Sequence, residues 1–512
     1  MSNFPWLTTI GLMPLAGAFV VAFLPANRAG RARHVAFGFS VVALLFTIGA
    51  ALSFDAGSTQ QFQLSERHSW IKQFGVSYAL GVDGIALVLI VMAAVLVPVC
   101  LLAAWHDVPE VGKRQQNYFA LMLVLETFMI GVFSATDVFL FYVFFEAMLI
   151  PVYFLIGSFG GPRRQYAAVK FLLYSLLGGL VMLVAVIALY QQGPGGADGF
   201  LVEKLTALKL DQTTGRLLFF GFFFAFAIKA PMWPVHTWLP DAATEARPAT
   251  AVLLVGVLDK VGTYGMIRFC LQMFPEASRW ATPAIIVLAV ISVLYGALLA
   301  IGQTDIMRLI AYTSVSHFGF IVLGIFAMTS AGTAGSALYM VNHGFTTAAL
   351  FLVAAMLIRR RGSKRIPDYG GWRRVTPVLA GVFLMSGMSA LALPGLNSFI
   401  SEFLVLVGTF QRYRVAAVLA TAGIILAALY VLLMYQRMMT GPAPGSAAGT
   451  ADMSHREKWV VAPLIAVFLV LGFYPKPVLD VINPAVARTL HYVGVTDPAP
   501  THPGTAAEGA VK

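Results

Sequence analysis

Lys229 stands inside the apolar run Leu217–Pro231, which otherwise holds Leu, Phe, Gly, Ala, Ile and a closing Pro. Counting from Leu217 places it about 18 Å along a helix that rises about 1.5 Å per residue. That depth is near the midplane of a hydrocarbon core roughly 30 Å thick, where a cation costs about 3 kcal/mol. A charge held at that cost points to an ion or proton path. Pro231, Pro234, His236 and Pro240 follow within the same span, so the helix must break beside the lysine. Buried charge next to unwound backbone is how transporters build an ion site.

Other titratable residues fall at similar depth. Glu146 lies about 12 Å inside the span that begins at Val138, and Lys260 and His317 about 16 Å inside spans beginning at Ala249 and Ile306. Glu402 lies about 12 Å from Phe410, within the second proline-broken span. Any one of these alone reads equally well as a structural ion pair, and a lone histidine reads as a hydrogen-bonded core residue. Five at one depth on five spans read as a proton relay, with Glu146, Lys229, Lys260, His317 and Glu402 as its groups. Burial in a medium of low dielectric brings amines and carboxylic acids toward a common titration range, and histidine is already there. At an effective dielectric near 20, a Lys–Glu pair is worth about 4 kcal/mol at 4 Å and about 2 at 8 Å, so its separation can act as a switch. His343, read as closer to the outer end of its span, and His236, beside the first break, are further pathway candidates. Glu126, Asp259 and Glu245 stand nearer span ends or other charges and read first as structural, with Glu126 and Asp259 kept as pathway candidates. Arg268 and Arg308, near span ends, are expected to snorkel.

The elements that must hold these groups are membrane spans. Of 512 residues, 59% are hydrophobic and 11% charged, against about 25% charged in soluble domains. The composition therefore predicts an all-α polytopic membrane protein. The net charge of +11 is an orientation signal, and nucleic-acid binding explains it poorly. Fourteen apolar runs are expected, beginning Trp6–Phe23, Val35–Ala51, Gly84–Trp105, Tyr118–Phe133 and Val138–Gly157. Ala168–Tyr190, Leu217–Leu239, Ala249–Leu271, Pro283–Ile301 and Ile306–Met328 follow, then Ala337–Ile358, Val378–Phe410, Val415–Tyr435 and Trp459–Phe473. The seventh and twelfth are interrupted by proline. Corresponding broken helices an odd number of spans apart predict two inverted five-helix repeats. The expected division is 1–112 for three leading helices, 113–273 and 274–440 for the repeats, and 441–512 for a last helix and tail.

Loops after odd-numbered spans carry most of the loop Lys and Arg, from Arg28, Arg31 and Arg33 to the Arg359–Arg374 cluster. They should face the cytoplasm, leaving both termini on the outer side. These basic residues follow the first apolar run, which does not fit a secretory signal. Cys100 and Cys270 are too few for an iron–sulfur cluster or structural zinc, so no metal is expected. Gly494–Lys512, rich in Ala, Pro and Gly, reads as an unstructured extension.

Three motifs carry a resemblance. Lys229-Ala-Pro-Met-Trp-Pro-Val-His236-Thr-Trp-Leu-Pro240-Asp241-Ala resembles the broken helix of antiporter-like subunits in proton-pumping NADH:quinone oxidoreductase, respiratory complex I. Phe144-Phe145-Glu146-Ala-Met-Leu-Ile-Pro151 is similar to that family's glutamate span, and Leu258-Asp259-Lys260-Val261-Gly262-Thr263-Tyr264-Gly265 to its lysine span. Glu402, in Leu393-Pro-Gly-Leu-Asn-Ser-Phe-Ile-Ser-Glu402-Phe403, resembles the M-type branch. L- and N-type subunits and Mrp-type cation/proton antiporter subunits usually carry lysine there. The Asp241–Pro248 loop departs from the histidine-containing relatives, and Asp259 stands where an apolar residue is frequent.

The resemblance implies Glu146–Lys229 as a switching ion pair, Lys260 as central relay, His317 as bridge and Glu402 as exit-side carrier. It implies a non-redox subunit of a proton-translocating enzyme in the bacterial inner membrane. FMN, iron–sulfur clusters and quinone would belong to other subunits, and L- and N-type neighbours and lipids would be its partners. Two competing readings are an Mrp-type antiporter subunit and a haem-bearing membrane subunit using His317 and His343 as axial ligands.

Overall fold

The structure, a computed structural model, describes residues 4–25, 30–108, 113–443, 445–447 and 449–499. Arg28 and the tail from residue 500 lie outside the described residues.

Helices overlie all the expected spans. The leading group is α1 (Trp6–Ala22), α2 (Ala32–Leu52) and α3 (Gly84–Ala103). α4 (Arg114–Ser134), α5 (Val138–Phe159) and α6 (Arg164–Gln192) follow. The first broken span is α7 (Gln212–Lys229) and α8 (Trp238–Glu245), followed by α9 (Pro248–Leu271). α10 (Pro275–Ile301), α11 (Ile306–Phe326) and α12 (Ser330–Arg361) come next. The second broken span is α13 (Pro377–Ala390) and α14 (Asn397–Arg412), and α15 (Arg414–Met439) follows it. The chain closes with α16 (His455–Phe473) and α17 (Lys476–Val493). Ten helices among the described residues are long and apolar enough to cross a membrane, which makes the chain a polytopic membrane protein. α1 and α13 are shorter, and α7 and α16 are long enough but more polar.

Helix starts are legible in local chemistry. Asp83, Asp137 and Asp305 accept the backbone N–H of Ala86, Leu140 and Met307, each at 2.9 Å. Ser454 and Glu457 close a reciprocal capping box on α16. Each cap satisfies donors that a helix start leaves free.

Burial sorts the helices into a centre and a rim. α9 is wholly buried inside the protein, and α11 and α12 nearly so. α6 and α15 instead expose Leu173, Leu177, Val184, Val415 and Ile425, an apolar rim suited to lipid. α10 packs on α11 and α15, α12 on α14, α11 and α9, and α7 on α6 and α9, so the central helices collect the candidate residues.

Three features depart from the sequence reading. An antiparallel hairpin, β1 (Gln63–Ile71) with β2 (Val76–Val82), interrupts the all-α expectation. Its register pairs His68 with Tyr78, and Gly75 makes the turn at φ 69°. Its strands are short and half-polar, so in an apolar chain they read as loop. Second, α17 bends 70° from α16. Its buried residues, Ile482, Ala485, Val486, Thr489, Leu490 and Val493, form one stripe, so it is amphipathic and was invisible to a search for apolar runs. Third, the start of the supposed free tail is docked: Ser330 N donates to Asp497 Oδ1 at 2.8 Å and Arg412 Nη2 to Thr496 O at 2.5 Å.

Hairpin, α17 and docked segment share one end of the protein, since Tyr492 Oη donates to Gln61 Oε1 and Arg67 pairs with Asp198 at 2.7 Å. The basic loops gather at the other end. There Arg359 pairs with Asp107, and Arg360 with Glu457 at 2.7 Å.

Candidate functional site

Lys229 is the last helical residue of α7 and is fully buried. The carbonyls freed at a helix C-terminus favour a cation there. The break is not left unsatisfied: Trp238 Nε1 donates to Ile228 O at 2.9 Å, Met232 N to Ala227 O at 3.1 Å and Trp233 N to Ser292 Oγ at 2.9 Å. Among the described residues the Lys229 ammonium itself has no hydrogen-bond partner. It lies 5.2 Å from the Phe145 ring centroid and 5.3 Å from that of Phe171, both within cation–π range.

Glu146, next to Phe145 on α5, reaches toward α6, where a Cβ on Gly179 would collide with its Oε1. Glycine there makes room for the carboxylate, a role the sequence reading missed. Glu146 and Lys229 interact electrostatically, yet no ion pair joins them among the described residues and Glu146 Oε1 has no partner.

The second half is connected. Lys260 Nζ donates to Val255 O at 2.7 Å and lies 2.7 Å from His343 Nδ1. α9 is π-helical at Leu254–Leu258 and Met266–Leu271, on either side of Lys260, a local widening often found at functional sites. The His343 and His317 ring centroids are 5.3 Å apart. His317 Nδ1 lies 2.7 Å from Tyr339 Oη, which donates to Glu402 Oε2 at 2.8 Å. Lys260, His343, His317, Tyr339 and Glu402 thus form one buried file.

His343 is a correction to the sequence reading. α12 begins at Ser330, seven residues before the expected Ala337, because small polar residues start it; His343 is therefore central and touches Lys260 directly. Tyr339, which links His317 to Glu402, was missed because tyrosine is unremarkable in an apolar helix. Tyr430 Oη lies 3.4 Å from His317 Nε2, and Thr347 Oγ1 3.1 Å from His343 Nε2. Each of the four ring nitrogens has a polar neighbour within 3.4 Å. Among the described residues no group of three or more His, Cys, Asp or Glu is placed to hold a metal ion.

The second break is held by a polar clasp. Asn342 Nδ2 donates to Asn397 O at 2.7 Å, Asn397 Nδ2 to Asn342 O at 3.2 Å and Ser389 Oγ to Asn397 Oδ1 at 2.6 Å. Irregular backbone at membrane depth needs such partners. The clasp fixes α14 and with it Glu402.

The remaining candidates are scattered. His236 is buried on the unwound segment, its ring edge-on to Tyr295 at 5.2 Å and its Nδ1 unpartnered. Glu126, on α4, and Asp259, on α9, are completely buried, and among the described residues neither carboxylate has a hydrogen-bond partner. Glu245 accepts from Arg163 N at 3.0 Å. Asp241 pairs with both Lys170 and Arg308 at 2.7 Å. Arg308 is thus anchored while partly exposed. Arg268 overturns the snorkelling expectation: it is buried, bonded to Asp83, Tyr264 and Gln272. The hairpin delivers Asp83 to that depth, which a count along the helix cannot foresee.

A family model described as NADH:quinone oxidoreductase/Mrp antiporter, TM, matches residues 135–428. NADH-quinone oxidoreductase subunit M of Mycobacterium tuberculosis is 52% identical, covering 98% of this chain and 97% of that one. The protein of the same name from Rhodobacter capsulatus is 41% identical over 94% of this chain and 96% of its own. In respiratory complex I from Thermus thermophilus with bound NADH, one chain superposes with a TM-score of 0.86 at 29% identity, covering 96% of this chain and all of that one. A chain of the Mrp complex from Dietzia sp. DQ12-45-1b shares the fold, with a TM-score of 0.83 at 22% identity and coverage of 96% and 100%.

Proposed function

The chain belongs to the NADH:quinone oxidoreductase/Mrp antiporter family of membrane subunits, and on that premise we propose that it is the M-type, proton-translocating membrane-arm subunit of NADH:quinone oxidoreductase. The observation that carries this reading is the buried file from Lys260 through His343, His317 and Tyr339 to Glu402. Lysine, imidazole, phenol and carboxylic acid can each give up a proton and take one back, and hydrogen bonds let it pass without a full charge meeting lipid.

On this reading Glu146–Lys229 is the switch. Lys229 with a distant Glu146 is the less stabilised cation and releases its proton; approach of Glu146 makes Lys229 hold it. Lys260 takes the proton, His343 and His317 bridge, and Glu402 delivers it to the outer side. His236 lies on the entry side, where Asp241 is paired with both Lys170 and Arg308. The spans form fourteen crossings, with inverted repeats over 113–273 and 274–440, and with both termini outside the bacterial plasma membrane.

Redox chemistry takes place in other subunits, which hold FMN, iron–sulfur clusters and quinone, and L- and N-type subunits flank this one. The Mrp alternative is the weaker reading, because the relatives at 52% and 41% identity carry the oxidoreductase name. The test is extraction of the tagged chain in mild detergent. Co-purification with NADH:quinone oxidoreductase activity, and NADH-driven proton uptake by vesicles, are expected. Isolation instead with antiporter subunits and cation/proton exchange would overturn the reading.

A further inference from the structure

Asp259 is completely buried, and among the described residues neither of its carboxylate oxygens has a hydrogen-bond partner. An unpartnered buried carboxylate is costly, so it needs a reason. It belongs to the strip of α9 that meets the broken end of α7. Gly262 and Gly265, one and two turns further on, mark that strip: a Cβ on Gly262 would stand 2.6 Å from Ala230 N, and one on Gly265 would strike the Phe226 ring. Residues three apart share a helix face, so Asp259 stands on the face of α9 that meets the Phe226–Ala230 end bearing Lys229. Lys260, one residue on, turns away toward His343. Asp259 interacts electrostatically with both lysines.

This resolves a gap. Hydrogen bonds join Lys260 to His343 and His317 through Tyr339 to Glu402, with the two imidazole rings in contact between them, whereas among the described residues Lys229 Nζ has no hydrogen-bond partner and no hydrogen bond joins it to Lys260. Resting on the proposed function, we propose that Asp259 is the relay carboxylate that carries the proton from Lys229 to Lys260. The Lys229 ammonium gives its proton to the Asp259 carboxylate. The resulting acid gives it to the neutral Lys260 amine, leaving Lys229 neutral, Lys260 charged and Asp259 again an anion. The carboxylate also ties the two lysines electrostatically, so Lys260 cannot stay charged without affecting Lys229.

The test uses the assembled enzyme complex in vesicles, with protons moved per NADH oxidised compared among wild type, Lys229→Ala, Asp259→Asn and Asp259→Glu. Asp259→Asn should fall to the level of Lys229→Ala, and Asp259→Glu, which keeps a carboxylate, should recover at least half of the loss. A purely structural role would be met by the equal-sized amide. Wild-type pumping by Asp259→Asn alongside loss in Lys229→Ala overturns the inference while leaving the function intact. Wild-type pumping in assembled Lys229→Ala overturns the function itself. Should the Asn variant fail to assemble, infrared difference spectra of turning-over complex decide. A protonated-carboxyl band must shift between wild type and Asp259→Glu, and an unshifted spectrum removes Asp259 from the path.

Discussion

At the scale of single residues, the protein sets cations and carboxylates at membrane depth and leaves several of them without a fixed partner. Lys229 is the clearest: a lone ammonium at a helix end, offset by two aromatic faces and a distant carboxylate. Lys229→Ala and Glu146→Gln are each expected to abolish or strongly impair proton pumping while the complex still assembles, measured as NADH-driven acidification against subunit content. Gly179→Ala should lower pumping more mildly, because its methyl would displace the Glu146 carboxylate without removing it. Glu402→Gln should stop transfer, since an amide of equal size cannot titrate, whereas Glu402→Asp should keep part of it. Tyr339→Phe removes one hydroxyl and two hydrogen bonds from the file, so pumping should drop well below wild type at unchanged assembly. Full pumping by Tyr339→Phe would show that protons pass from His317 to Glu402 another way.

At the scale of elements, helix breaks and local widenings do the positioning. α7 stops at Lys229, and α8 restarts under Trp238, whose indole N–H caps the broken end. Trp238→Phe keeps the ring bulk but loses that bond, about 1 kcal/mol, so thermal stability of the extracted complex should fall slightly and pumping should weaken. The hairpin and α9 are joined by the buried Arg268–Asp83 pair. Removing one partner of a buried pair strands a charge at a cost of about 3–5 kcal/mol. Arg268→Met should therefore sharply reduce subunit content in membranes, and the double change Arg268→Met with Asp83→Asn, which removes the charge but keeps the Oδ1 acceptor that caps α3, should restore much of it. No recovery in the double variant would mean that the pair has a role beyond mutual neutralisation.

At the scale of the whole molecule, the two ends differ in kind. One is closed by the hairpin, α17 and the docked residues around Asp497; the other carries the basic loops and their ion pairs. The charge bias predicts that the second end faces the cytoplasm. A cysteine placed at Gly195 should react with an impermeant reagent added outside intact cells, and one placed at Ser363 only in inverted vesicles. The reverse pattern would mean that the span count is wrong by an odd number.

Membrane residence, helix positions and the two breaks were all legible in the sequence. Each depends on local composition or on distance counted along one helix, and a bilayer makes both quantities informative. The hairpin and α17 escaped that reading because their signal is alternation or a stripe, diluted by polar positions. Neighbour relations escaped it for a deeper reason. Depth places Lys260, His317 and Glu402 in one layer, with His343 nearer the outer end, but says nothing about which of them touch. That order arose from the packing of α9, α11, α12 and α14, which brought Tyr339 between His317 and Glu402 and set His343 against Lys260. Packing likewise buried Arg268 against Asp83 and left Asp259 on the face of α9 that meets the broken end of α7. Residue type and depth are properties of one chain segment, whereas a proton path is a property of several segments packed together.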